Sequence, residues 1–188
     1  YFSEQEIKNN DFRGPDDVVV LGVDTREPRY RDRKSWVAWE EGGKLPDVVI
    51  EVTSESTSRV DRGEKKRIYS QIWKTPAYFL FDPDTERLEG FGLGASRGEY
   101  EALLPDERGD LAVAPLGLKL GLRRTRYRDL DRLFVRWIDE NGRPLPLAQE
   151  RAEQERLRAE QERLRADAAV ERVRELEQRL RELEGKPR

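Results

Sequence analysis

Residues 46–69, PDVVIEVTSESTSRVDRGEKKRIY, constrain the fold more than any other stretch. A proline opens a run of β-branched residues from Asp47 to Val52, which predicts a strand of about six to eight residues. Side chains alternate along a strand, so Asp47, Val49 and Glu51 share one face while Val48, Ile50 and Val52 share the other. Two carboxylates on one face of an apolar strand require partners, because an unpaired buried charge costs several kcal/mol or is neutralised. A metal ion, a lysine or hydrogen-bond donors would all serve.

The following segment offers one such partner. A helix over Asp61–Lys74 turning about 100° per residue places Ile68, Tyr69, Ile72 and Trp73 in an apolar stripe that should face the sheet. Lys65 falls near the centre of that stripe, and Lys66 points a quarter-turn away, towards solvent. Asp61 lies one turn before Lys65 and is placed either to cap the helix or to join the acids. Lys65 fits two roles equally, a structural ion pair or a site residue.

Composition removes several chemistries. With no cysteine there is no disulfide, no thiol nucleophile and no thiolate metal site. With no histidine, serine-histidine triads and most zinc sites are excluded too. Carboxylate oxygens remain as metal ligands, and these suit Mg²⁺ or Mn²⁺. A net charge of −3 gives no bulk attraction to nucleic acid, so any such contact must come from local patches. No apolar run has membrane-spanning length and no signal peptide is visible, so a cytoplasmic protein is expected. The chain begins at Tyr1 without an initiator methionine, and its first 13 residues read as the end of an element whose start lies upstream.

Other segments read more simply. Gly14-Pro15-Asp16-Asp17 introduces a second buried strand, VVVLGV, with Asp16 at its mouth. Asp24–Lys34 is a polar loop holding Arg26, Arg29, Arg31, Arg33 and Lys34; it is read as solvated, with phosphate contact as the other possibility. Trp36–Trp39, Pro76–Asp82, Leu88–Leu93, Gly98–Leu104 and Leu111–Leu122 are expected as strands, with Gly117 and Gly121 weakening the last. Arg123–Arg136 is basic with interleaved aromatics, and an edge strand is preferred to a nucleic-acid contact.

From Ala148 the chain changes character. AEQERLR at 152–158 recurs at 159–165, and residues 148–188 carry 11 acids and 11 bases. Val173, Leu176, Leu180 and Leu183 follow the spacing of a coiled-coil seam, with Leu157 and Leu164 out of its register. Pairs such as Glu175–Arg179 and Glu177–Arg181 would support the helix even in isolation. The expected division is a domain over 1–147 and a charged helical tail over 148–188, able to form homo-oligomers or to stand alone.

In combination and order, GPD at 14–16, LPDVVIEVTS at 45–54, DRGEKKRIY at 61–69 and PAYFLFDP at 76–83 resemble the Uma-type restriction endonucleases. That family is similar to the nuclease superfamily marked by P-D…(D/E)-x-K, and the resemblance covers residues 1–147. It implies a restriction-endonuclease-like α/β (α+β) core, a mixed sheet with antiparallel hairpins flanked by helices, followed here by the long C-terminal helix. A leading helix and strand would precede Tyr1. It further implies metal-dependent hydrolysis of DNA phosphodiesters with Mg²⁺ or Mn²⁺ as cofactor and DNA as partner. Carried over by position, Asp16 and Glu51 match the two motif acids, with Asp47 as a further metal-ligand candidate, and Lys65 matches the lysine moved to the helix. Two residues after Glu51 stands Thr53 where the superfamily pattern has lysine. The competing expectation is an inactive nuclease fold acting as a binding or assembly module through its C-terminal helix.

Overall fold

The structure is a computed structural model describing residues 14–24, 35–94 and 98–184. Residues 1–13 and the arginines of the 25–34 loop lie outside the described residues. The chain divides into residues 1–145 and residues 146–188.

The first unit is built on a five-stranded mixed sheet in the order β1-β2-β3-β4-β5. Its strands are β1 (Asp17–Val19), β2 (Val48–Val52), β3 (Ala77–Asp82), β4 (Arg87–Leu93) and β5 (Tyr100–Ala102). β2 runs parallel to β3, with Val48 opposite Ala77 and Val52 opposite Phe81, and antiparallel to the edge strand β1. A parallel pair needs a crossover, and the helix α1, residues 58–72, supplies it.

Both faces of β2 are covered, which is why its sequence is continuously β-branched rather than alternating with polar residues. Val48 and Ile50 join Ala77 and Phe79 in packing onto a second sheet through Leu111, Val113 and Leu120. That sheet, in the order β6-β7-β8, is formed by β6 (Leu111–Val113), β7 (Leu118–Tyr127) and β8 (Leu130–Ile138). Val49 packs on the opposite side with Ile68, Tyr69 and Trp73 of α1 and with Tyr78 and Leu80. The aromatic rings lock α1 to the sheet, Tyr69 lying 4.8 Å from Trp73 and 5.3 Å from Tyr78 between centroids. The core is thus α+β as expected, with one face of the main sheet under a helix and the other under the second sheet.

Several elements differ from the sequence reading. The Trp36–Trp39 segment forms a 3₁₀ turn at Ala38–Glu41 instead of a strand, and the Trp36 indole donates to the Lys44 carbonyl at 2.8 Å. The strand expected over 111–122 is two strands, because a 3₁₀ turn at Ala114–Leu116 and a left-handed Gly117 (φ 63°) reverse the chain. Gly121 then lies inside β7, where a side chain would collide with the Asp110 carboxylate that pairs with Arg123 at 2.7 Å. The basic segment 123–136 is a hairpin rather than one edge strand, with Tyr127 opposite Leu130 and Arg128 left-handed (φ 54°) in the two-residue turn.

α1 begins at residue 58, one turn earlier than expected, and it is not a uniform α-helix. Asp61–Lys65 and Ile68–Ile72 are π-helical turns whose bonds close one residue late, as in Trp73 N–H to the Ile68 carbonyl at 3.0 Å. The inward face therefore runs Ile68, Tyr69, Ser70 and Trp73, while Ile72 turns outward at 49% exposure. Lys66 does not point to solvent: its ammonium sits 3.4 Å above the Phe91 ring, and burial lowers its pKa from the usual 10.5.

The second unit contains α2 (Ala148–Glu184). Among the described residues its large apolar side chains are exposed, including Leu157, Leu164, Val173, Leu176 and Leu180. No helix among the described residues is long and apolar enough to cross a membrane.

Candidate active site

The C-terminal end of β2 and the first two turns of α1 bring three ionisable side chains together. Glu51 is fully buried on the helix-facing side of β2. Its Oε2 lies 3.0 Å from Lys65 Nζ, and its Oε1 accepts the Tyr69 hydroxyl at 2.8 Å. Lys65 Nζ also lies 2.9 Å from Asp61 Oδ1. Asp61 is buried at 1% exposure, and its carbonyl accepts the Tyr78 hydroxyl at 2.9 Å. One ammonium therefore bridges two buried carboxylates, one from the strand and one from its own helix. Asp61, Lys65 and Tyr69 follow one another at four-residue intervals and so share the face of α1 turned towards Glu51.

Asp16 completes the mouth of the cluster. It directly precedes β1, whose register places Asp17 opposite Ile50 and so carries Asp16 to the level of Glu51. Its Oδ2 accepts the Val52 N–H at 2.7 Å, and its own N–H approaches Glu51 Oε2 at 3.4 Å. Asp16 is exposed whereas Glu51 is buried, so the pair offers one carboxylate to solvent and one to the interior. Asp47 is not brought to this group. It sits four residues before Glu51, just ahead of β2 and ~13 Å away along the strand direction, and its Oδ2 accepts the Leu21 N–H at 2.7 Å.

The electrostatics follow from this geometry. Burial pushes the Glu51 carboxyl above its ordinary 4.5; Lys65 and Tyr69 pull it back, and the Asp16 charge pushes in the same direction as burial. Burial alone would lower Lys65, but hydrogen bonds to Asp61 and Glu51 outweigh it and hold the amine above its ordinary 10.5. Lys65 is thus kept as a cation, unable to serve as a base near neutral pH. Burial, followed by the Glu51 charge and hydrogen bond, raises Tyr69 far above the usual phenol range, so it stays a hydrogen-bond donor.

Tyr69 is the site residue the sequence reading assigned only to the apolar stripe. Asp61, left between capping and the site, joins the site. The helix start instead has Thr57 Oγ1 accepting from the Ser54 N–H at 3.0 Å. A tyrosine one helical turn after a lysine already aimed at a buried acid was the available clue.

Residues 3–131 match the family model described as "Uma2: Putative restriction endonuclease". The chain belongs to this family. Membership suggests restriction-endonuclease-like nuclease chemistry, and the matched span contains Asp16, Glu51, Asp61, Lys65 and Tyr69. No curated protein and no solved structure matches the chain. In this Uma2 family member, no three acidic side chains among the described residues form a cluster able to hold a metal by themselves. Two carboxylates, Asp16 and Glu51, stand close enough for one to raise the proton affinity of the other. That donor set fits Mg²⁺, which takes one or two carboxylates and fills its remaining positions with water and phosphate oxygens.

Proposed function

We propose that this protein is a metal-dependent endonuclease that hydrolyses DNA phosphodiester bonds. The observation that carries the reading is the meeting of Glu51 and Lys65 beside Asp16 at the end of β2, within a chain of this family. Asp16 and Glu51 would hold a Mg²⁺ or Mn²⁺ ion, which when bound lowers the pKa of water and offsets charge building on the phosphate. Lys65, fixed as an ammonium, supplies a stationary positive charge for the developing phosphorane oxygens. Tyr69 and Asp61 keep Glu51 and Lys65 from rotating out of position. In the reaction, a water oxygen bonds to phosphorus, one bridging P–O bond breaks, and the departing sugar oxygen ends protonated.

The test is nicking and linearisation of plasmid DNA with Mg²⁺ or Mn²⁺ by wild type, Glu51→Ala and Lys65→Ala. Each substitution is expected to lower kcat by roughly 10²-fold or more. Equal activity in all three proteins would remove the assignment.

A second property rests on α2. Val173, Leu176 and Leu180 are exposed at coiled-coil spacing on a helix with balanced charge, and we propose that they join two copies of the chain. A catalytically silent protein assembling through this helix is the competing reading, favoured if no divalent ion raises the melting temperature.

A further inference from the structure

Thr53 is one residue beyond β2, and its N–H donates to the Phe81 carbonyl at 2.8 Å, so the extended ladder continues through it. Alternation then turns its side chain to the same side as Glu51, two residues back. Thr53 is 1% exposed, and its Oγ1 has no hydrogen-bond partner among the described residues. Buried hydroxyls are nearly always satisfied by protein or ordered water, so an orphan beside a charged cluster indicates where solvent or a ligand oxygen belongs. Their backbone positions lie about 7 Å apart along the strand, which makes the two side chains neighbours on one face that a water molecule can bridge. A hydroxyl can donate to such a water while the water donates to the carboxylate.

We propose that Thr53 is a positioning residue whose hydroxyl holds a water molecule against Glu51, ordering the solvent ligand of the divalent ion that Asp16 and Glu51 would take. The proposal rests on the nuclease reading above for its link to activity, but its geometry is independent of cleavage. A natural control exists. Thr75 is likewise fully buried with an unpartnered Oγ1 among the described residues. It precedes β3 at the level of the start of β2, since Ala77 pairs with Val48, which puts it at the opposite end of the strand from Glu51.

The experiment compares wild type, Thr53→Val, Thr53→Ser and Thr75→Val by thermal melting of the metal-free protein, by Mn²⁺ affinity from water-proton relaxation, and by plasmid cleavage. Thr75→Val should melt at or above the wild-type temperature, because it removes an unsatisfied buried hydroxyl, whereas Thr53→Val, which takes one partner from the water beside Glu51, should melt at or below it. Thr53→Val alone should weaken Mn²⁺ binding and lower kcat, each by about 10- to 100-fold, with KM for DNA little changed. Thr53→Ser should restore both. Wild-type Mn²⁺ affinity in Thr53→Val, or an equal loss in Thr75→Val, overturns the proposal, as does a wild-type protein that binds no Mn²⁺. If wild type binds Mn²⁺ but cleaves nothing, the nuclease reading falls, and Thr53 is judged on the Mn²⁺ affinities alone.

Discussion

Tyr69 donates its hydroxyl to the Glu51 oxygen that Lys65 leaves free. A fully buried carboxylate thereby has each oxygen assigned to a different partner on the same helix, one neutral and one charged. The arrangement fixes the rotation of the carboxylate, and it makes the contributions of the two partners separable.

Replacing Tyr69 by phenylalanine leaves Glu51 Oε1 without its donor while the ring stays packed against Trp73 and Tyr78. The cost should be about 1–3 kcal/mol, the penalty for an unsatisfied buried acceptor. Urea unfolding measures it. A variant as stable as wild type would show that the hydroxyl contributes nothing.

Lys65→Met removes the only cation in contact with both Glu51 and Asp61 among the described residues. Breaking such a pair from one side costs about 3–5 kcal/mol, because the remaining charges stay buried. The double variant Glu51→Gln, Lys65→Met should recover part of that loss. Strict additivity of the two single changes would mean that they do not interact.

The pH dependence has the same sign at both ends, stability falling as pH rises, because both groups have folded-state pKa values above their ordinary ones. Glu51 has a folded-state pKa above 4.5, so as pH falls the folded chain takes up this proton before the unfolded chain does. Wild type should therefore gain stability relative to Glu51→Gln as pH falls from the folded value towards 4.5. Lys65 is held above 10.5, so its contribution is complete below that value and is lost as pH rises through the folded pKa. The advantage of wild type over Lys65→Met should accordingly shrink in strong alkali. Melting temperatures of the three proteins across pH check both signs; differences that stay constant with pH would contradict them.

Deleting residues 148–188 should abolish self-association while leaving the melting transition of residues 1–147 in place. Sedimentation velocity reads the first and calorimetry the second. An unchanged sedimentation profile would exclude α2 as the interface.

The sequence exposed the strand, the helix and Lys65 because these depend on local rules: a β-branched run, alternation, and a polar residue within an apolar stripe. It misplaced Ile72 and Lys66 because the rotation of α1 is set by two wide turns, which hydrophobic spacing does not encode. Parity put Asp47 on the face of Glu51, but parity is blind to distance along a strand, and Asp47 is satisfied at the far end by Leu21. Tyr69 packs as an aromatic and bonds as a hydroxyl, and only three-dimensional proximity distinguishes those duties. The paired tryptophans before β2 suggested a strand by composition, whereas the backbone there tightens into a 3₁₀ turn and then reverses at a left-handed Gly42 (φ 66°).

The lengthened turns of α1 also bear on how this protein tolerates insertion and deletion. Excising one residue between Asp61 and Lys65 would let that turn relax to ordinary α-helical closure without breaking the helix. Asp61, on the far side of the excision, would then be carried around the helix axis away from Lys65, while Lys65, Tyr69 and Trp73 could remain seated. A shortened chain of this kind should fold normally yet keep only the Glu51 arm of its charge bridge, separating what the second carboxylate does for stability from what the first does for chemistry.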